Sequence, residues 1–76
     1  MDLSALITQE GMDKLQRRIQ DLLRERPAVI KAVAIAREYG DLSENAEYKS
    51  ARERQRQIDT ELDYLRRRAA HLKVID

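Results

Sequence analysis

The sequence predicts an all-α fold: an antiparallel two-helix coiled-coil hairpin. Three observations carry that prediction. Charged residues make up 38% of the 76 positions and aromatics 4%, with three Tyr and no Phe or Trp. This is the composition of a long charged helix or coiled coil. Apolar residues recur at steps of three and four along two long stretches, as on a helix that buries one stripe. Gly40-Asp41 separates the two stretches. Glycine suits the end of one helix there, and aspartate the start of the next.

The first helix is expected over about residues 8–39. Thr8 is a plausible N-cap, Glu10 suits the positive end of the dipole, and Ile7 can pack on Met12 as a hydrophobic staple. The seam then runs through Met12, Leu15, Ile19, Leu22, Arg26, Val29, Val33 and Ala36 to Gly40. Pro27 interrupts it. Proline inside a helix removes a hydrogen bond and crowds the preceding turn, so a kink or short break is expected at Arg26-Pro27. The pattern resumes without a change of phase, which keeps both segments on one face.

A turn is expected at about 40–42 and a second helix at about 42–72, with Asp41 as its N-cap and Glu44 at N3 completing a capping box. Its seam is Tyr48, Ala51, Gln55, Ile58, Leu62, Leu65, Ala69 and Leu72. Folded antiparallel, Met12 meets Leu72, Ile19 meets Leu65, Leu22 meets Leu62, Arg26 meets Ile58 and Ala36 meets Tyr48. The residue numbers of every such pair sum to 84, so one register satisfies the whole seam and its centre falls at residue 42. Two helices of about 31 residues at ~1.5 Å per residue give a rod roughly 46 Å long. Leu23 and Ile30 are apolar but off this seam. Past Leu72, the adjacent β-branched Val74 and Ile75 leave the helical pattern and read as the beginning of a strand, as if 1–76 were one domain of a longer protein.

Composition also bounds function. A chain this short forms one small domain with a modest core. There are no cysteines, hence no disulfide or thiolate metal site, which fits a reducing cytoplasm. The net charge of +1 argues against wholesale binding of nucleic acid, and no DNA binding of its own is expected. Ala32 to Ala36, the longest apolar run, is far too short to span a bilayer. The first residues, M-D-L-S-A-L-I-T, do not read as a signal peptide.

Residues 37–47, R-E-Y-G-D-L-S-E-N-A-E, hold four acids (Glu38, Asp41, Glu44, Glu47) and one base, Arg37. Helix capping accounts for Asp41 and Glu44, each worth a few tenths to about 1 kcal/mol beside the dipole. It accounts poorly for Glu38, at a helix C-terminus. Alternatively, residues three apart on a helix lie about 5–6 Å apart and can converge on one point. Two carboxylates make half a Mg²⁺ site, because Mg²⁺ takes one or two carboxylates and fills its shell with waters and phosphates. The sequence offers no nucleophile or general base beside them, so any catalysis would take place inside a partner.

Behind the tip lie Arg37, Lys49, Arg52, Arg54 and Arg56. They read either as a solvated face with local pairing or as a collar that contacts phosphates. Tyr48 falls on the seam against Ala36, whereas Tyr39 lies off it and is expected to be exposed. Arg66-Arg67-Arg68 lies far from the tip. His71, in the last turn of the second helix, reads as structural.

The segment A-R-E-Y-G-D-L-S-E-N-A-E-Y, residues 36–48, resembles the tip of the GreA/GreB family of bacterial transcript cleavage factors. Leu6-Ile7-Thr8, Glu10-Gly11, Lys14-Leu15, Glu25-Arg26-Pro27 and Val74-Ile75-Asp76 resemble the family in the same order. The tip sequence is closer to the GreA type than to D-R-S-E-N-A-D-Y of the GreB type. The resemblance implies the family's N-terminal coiled-coil domain, with a C-terminal FKBP-like domain absent from this chain. It implies a cytoplasmic elongation factor, without activity of its own, whose hairpin enters the secondary channel of RNA polymerase. There it stimulates the polymerase's intrinsic cleavage of backtracked RNA and rescues arrested complexes. Asp41 and Glu44 match the family's catalytic carboxylates, which hold a second, weakly bound Mg²⁺ only in complex with the polymerase. Glu47, Tyr39, Ser43 and Asn45 match supporting tip residues. Arg37 and Arg52 match basic residues that contact the 3′ end of backtracked RNA. Two rivals stand beside this expectation: a family paralogue that inhibits from the same channel, and a plain structural or dimerisation hairpin using Leu23 and Ile30.

Overall fold

The computed structural model describes residues 5–41 and 44–75. Its elements are β1 (Leu6–Thr8), α1 (Gln9–Arg37), α2 (Ala46–His71) and β2 (Lys73–Ile75). The two helices pack along one another, and the molecule measures 55 × 20 × 14 Å. It is the expected helical hairpin, drawn out as a rod.

The core is a narrow seam. Leu22 and Ile58 are fully buried, and Ile19 and Leu62 pack with them. Leu15, Val29 and Leu65 flank this cluster, while Val33 and Ala36 continue the buried row towards the tip. Burying a side chain of this size contributes about 1.5–3 kcal/mol, so these few residues carry most of the pairing energy. Leu23 also packs against the cluster. The buried stripe is therefore wider than the strict seam read from the sequence, as is usual where two helices face each other outside a long coiled coil. Ile30 is exposed, as expected.

Three ion pairs bridge the helices beside this seam. Arg18 donates Nε and Nη2 to the two carboxylate oxygens of Glu61, at 2.6 and 2.9 Å. Arg54 grips Glu25 in the same two-pronged manner, at 2.5 and 2.6 Å. Arg26 donates Nε to Asp59 Oδ1 at 2.7 Å. Residue numbers in these pairs sum to between 79 and 85, on the register that places Leu22 against Leu62. Arg26, expected opposite Ile58, is half-buried, and its guanidinium is held by Asp59, the neighbour of Ile58.

The helix boundaries differ from those expected. α1 runs unbroken through Pro27, with no interruption at Arg26-Pro27. Pro27 is exposed, so the hydrogen bond it forgoes lies on the solvent side, where it costs least. α1 ends at Arg37 rather than 39, and α2 begins at Ala46 rather than 42.

The base of the rod holds an element that the sequence only half disclosed. β2 forms where Val74 and Ile75 leave the helical pattern, and it pairs in parallel with β1: Leu6 beside Lys73, Ile7 beside Val74, Thr8 beside Ile75. Parallel strands require a crossover between them, and here the whole helical hairpin serves as one. Thr8 caps α1 as expected, its Oγ1 accepting from the Gly11 amide at 3.0 Å. Gly11 answers a steric demand. A Cβ at that position would lie 2.9 Å from Ile7 Cγ1, so only glycine lets β1 fold back over the first helical turn.

The charge pairs make pairing of the helices sensitive to acid. The guanidinium partners hold Glu25 and Glu61 below their ordinary 4.5, and Asp59 below its ordinary 3.8, through hydrogen bonds to the charged carboxylates. A carboxyl group whose folded value is depressed adds stability above its unfolded value, and that stability is lost as pH falls through the folded value. The midpoint of urea unfolding, followed by circular dichroism, should therefore hold steady from neutral pH to about 5 and decline below the ordinary carboxylate range. Glu25→Gln should flatten that decline, and a midpoint independent of acid would show that the pairs add nothing.

Candidate functional site

The end of the rod opposite the strands is built by the termination of α1 and the start of α2. α1 tightens as it ends: the Glu38 amide donates to the Ile35 carbonyl, and the Tyr39 amide to the Ala36 carbonyl, each at 3.1 Å. Gly40 then takes φ +102°, a conformation that side-chain-bearing residues rarely adopt, and turns the chain away from the helix. On the far side, Asn45 caps α2, with its Oδ1 accepting from the Tyr48 amide at 3.0 Å. Its Nδ2 donates to the Ala36 carbonyl at 2.7 Å. One side chain therefore caps the second helix and ties it to the end of the first.

This corrects the sequence-based cap. Asp41 is not the N-cap, and Glu44 does not stand at N3, because α2 begins after both. The choice of Asn45 has a chemical reason. A carboxylate can accept from the Tyr48 amide but cannot also donate to Ala36, whereas a carboxamide does both. The signal was present in N-A-E-Y, an asparagine followed by a helix-forming run with an acid in its first turn.

The acidic residues gather on one rim. Tyr39, Asp41, Glu44, Asn45, Ala46 and Glu47 line a single open depression. Asp41 and Glu44 are exposed there, and Glu47 lies in the first turn of α2, where the dipole favours an acid. Tyr39 is 69% exposed on the same rim. Ser43 lies outside the described residues. Glu38 is the C-cap of α1, and it does not line the depression.

Hard carboxylate oxygens are the donors that Mg²⁺ accepts. Among the described residues, no three His, Cys, Asp or Glu side chains converge into a group that could hold a metal ion. Two carboxylates are at most part of a Mg²⁺ shell, and its remaining oxygens would have to come from outside the chain. Such an ion would neutralise phosphate charge and polarise water when bound.

The basic residues behind the tip divide into two groups. Arg37 closes α1, and its guanidinium lies over the Tyr48 ring, 5.8 Å from the centroid. Arg52 makes a 3.4 Å hydrogen bond to Gln55 from an exposed position. Lys49 is likewise exposed. Arg54 does not join them, because Glu25 holds it across the helix interface. Arg56 pairs with Glu53 at 3.0 Å. The collar of five thus loses Arg54 to the helix interface, while Arg37, Lys49, Arg52 and Arg56 stay at exposed positions. The sequence could not disclose this, since the partner of Arg54 is 29 positions away.

Residues 5–74 match a protein family described as transcription elongation factor, N-terminal. The chain belongs to the GreA/GreB family of transcription elongation factors. Relatives named transcription elongation factor GreA agree with this family. One from Thermodesulfovibrio yellowstonii is 49% identical over 71 residues, 92% of this chain and 45% of that protein. Another, from Nitratidesulfovibrio vulgaris strain Miyazaki F, is 46% identical over 70 residues, 92% of this chain and 44% of that protein. A third, from Leuconostoc citreum, is 42% identical over 71 residues, again 92% of this chain and 44% of that protein. The chain spans less than half the length of the curated relatives it matches. No helix among the described residues is long and apolar enough to cross a membrane.

In this GreA/GreB-family hairpin, the geometry of the tip depends on the backbone at Gly40. A side chain there meets open space but must adopt an unfavourable φ. Gly40→Ala should lower stability by about 1–2 kcal/mol, the strain of a left-handed residue with a Cβ. Denaturant titration against the parent chain measures the change directly, and equal midpoints would mean that the turn rearranges without strain.

Proposed function

We propose that this chain is the channel-entering part of an elongation factor, which inserts its acidic tip into the secondary channel of RNA polymerase. There it stimulates the polymerase's own Mg²⁺-dependent cleavage of backtracked RNA and so rescues arrested complexes. The observation that carries this reading is the placement of Asp41 and Glu44 on one open rim, at the end of a rod 55 Å long and at most 20 Å wide. A helix pair is stiff and slender, which suits delivery of charge into a narrow passage. On this reading the chain contributes carboxylates to a hydrolytic centre that belongs to the polymerase.

In that centre Asp41 and Glu44 would be the residues of this chain that hold a second Mg²⁺, which when bound would supply charge neutralisation and polarise water. Their own task is to hold negative oxygen at a fixed position and to orient the attacking water by hydrogen bonding. Glu47 and Tyr39 complete the rim around them. Arg37 and Arg52 stand behind the rim, suited to guide the phosphates of the extruded RNA 3′ end by charge. The setting is the cytoplasm, with RNA polymerase as partner. An inhibitory paralogue would use the same rod and dock in the same channel, but it would block cleavage.

Two variants test the assignment in backtracked polymerase complexes. Asp41→Asn keeps the size of the side chain and removes its charge. It should lower the stimulated cleavage rate by about 10–100-fold, the scale on which metal sites respond to loss of a supporting group, with helical content unchanged. Cleavage at the parental rate would remove Asp41 from any metal-completing role, and inhibition by the parent chain would favour the paralogue. Arg52→Ala should raise the chain concentration needed for half-maximal stimulation, most strongly at low salt, where phosphate contacts count for most. An unchanged concentration dependence would return Arg52 to the solvated surface.

A further inference from the structure

The tip carries its acids on a short connection between two helices, and a flexible connection would spread them over many positions. Asn45 closes that connection at its root. Its carboxamide donates to the Ala36 carbonyl at 2.7 Å and accepts from the Tyr48 amide at 3.0 Å. Both bonds are partly buried, and Ala36 itself is only 3% exposed, so water competes poorly for them. The arrangement admits one orientation of the amide, since exchanging oxygen and nitrogen would set donor against donor and acceptor against acceptor. Around it, the Ala36 carbonyl also accepts from the Tyr39 amide, and the ring of Tyr48 lies beneath the Arg37 guanidinium. The last residues of α1 and the first turn of α2 are therefore joined through one side chain, with Glu44 one residue from Asn45 and Tyr39 three residues from Ala36.

We propose that Asn45 is a positioning residue. It acts as a clamp that fixes the roots of the tip, so that Asp41 and Glu44 are preorganised for the shared metal site. The proposal rests on the function inferred above for those two acids. Its physical content is separate from capping: the cap needs only the acceptor, and the clamp needs the donor as well. Preorganisation acts on rate rather than on docking, because misplacing a reacting group by about 1 Å can cost 10²-fold without altering the surface that binds.

The Asn45→Ser variant of the full chain separates the two roles, since serine keeps an oxygen for the Tyr48 amide and loses the carboxamide donor. Asn45→Asp is the second variant, whose carboxylate is an equally good cap, should the serine weaken α2. The first readout is amide relaxation by nuclear magnetic resonance on the chain alone. Order parameters at Tyr39, Asp41 and Glu44 should fall from the rigid range towards about 0.6, while the Tyr48 amide and the helical signal stay as in the parent. Unchanged order parameters at those residues would overturn the clamp. The second readout is stimulated cleavage in backtracked complexes. The maximal rate should fall by about tenfold or more with the half-saturating concentration unchanged. A shift in half-saturation with the maximal rate intact would make Asn45 a docking contact and overturn the proposal. Asp41→Asn, run alongside, distinguishes the failures. If it cleaves like the parent, the metal-completing reading falls, and the relaxation measurement still decides whether Asn45 orders the tip.

Discussion

The hairpin depends on a single register between two helices. Among the described residues, Leu22 and Ile58 are the large side chains from which water is wholly excluded, and Ile19 and Leu62 complete the cluster around them. With so small a core, a slip exposes a large share of it. Displacing one helix by a turn would open Leu22 and Ile58 to water and, in the same motion, separate Arg18 from Glu61 and Arg54 from Glu25. The hydrophobic term provides the energy and the ion pairs select the alignment. Exposed ion pairs are weak as stabilisers, but three of them crossing one interface penalise the wrong registers jointly.

With the register fixed, each end of the rod needs only a local fastening. At the base, a three-residue parallel ladder joins β1 to β2, and Gly11 allows Ile7 to fold back over the helix start. So short a ladder is not independently stable, and it forms because the hairpin has already brought its two strands together. At the tip, the carbonyl that ends α1 and the amide that begins α2 meet in the Asn45 carboxamide. The tip fastening also satisfies an amide that the start of α2 would otherwise leave unpaired. The N-cap of α2, which sequence chemistry assigned to Asp41, is Asn45.

The helices and their pairing were legible in the sequence because apolar spacing at steps of three and four is a long signal, repeated over both stretches. Register could be read because both rows had to match at once. The features that sequence reading missed are short or non-local. β1 is three residues long and its apolar pair resembles a staple at a helix entry, so its partnership with β2 left no periodic trace. Asp41 and Glu44 satisfied the spacing of a capping box as well as Asn45 satisfied that of a cap. Only the nearness of the Ala36 carbonyl, nine positions away, decides between them. Leu23 falls off a strict seam, which counts two positions per heptad, whereas this interface also covers a third. The acidic rim itself was legible as a cluster. Its position at one end of the rod followed from the register.

The rod's proportions have a mechanical consequence. Its length is 55 Å and its other dimensions are 20 and 14 Å. Held at the base, it is a lever, and a tilt of about one degree there would carry the tip through about 1 Å, the displacement at which a reacting group begins to fail. Accuracy at the acidic end is then set largely at the opposite end, by how firmly the strand-bearing base is seated. A substitution near β1 or β2, far from any carboxylate, could detune the tip as effectively as one beside it.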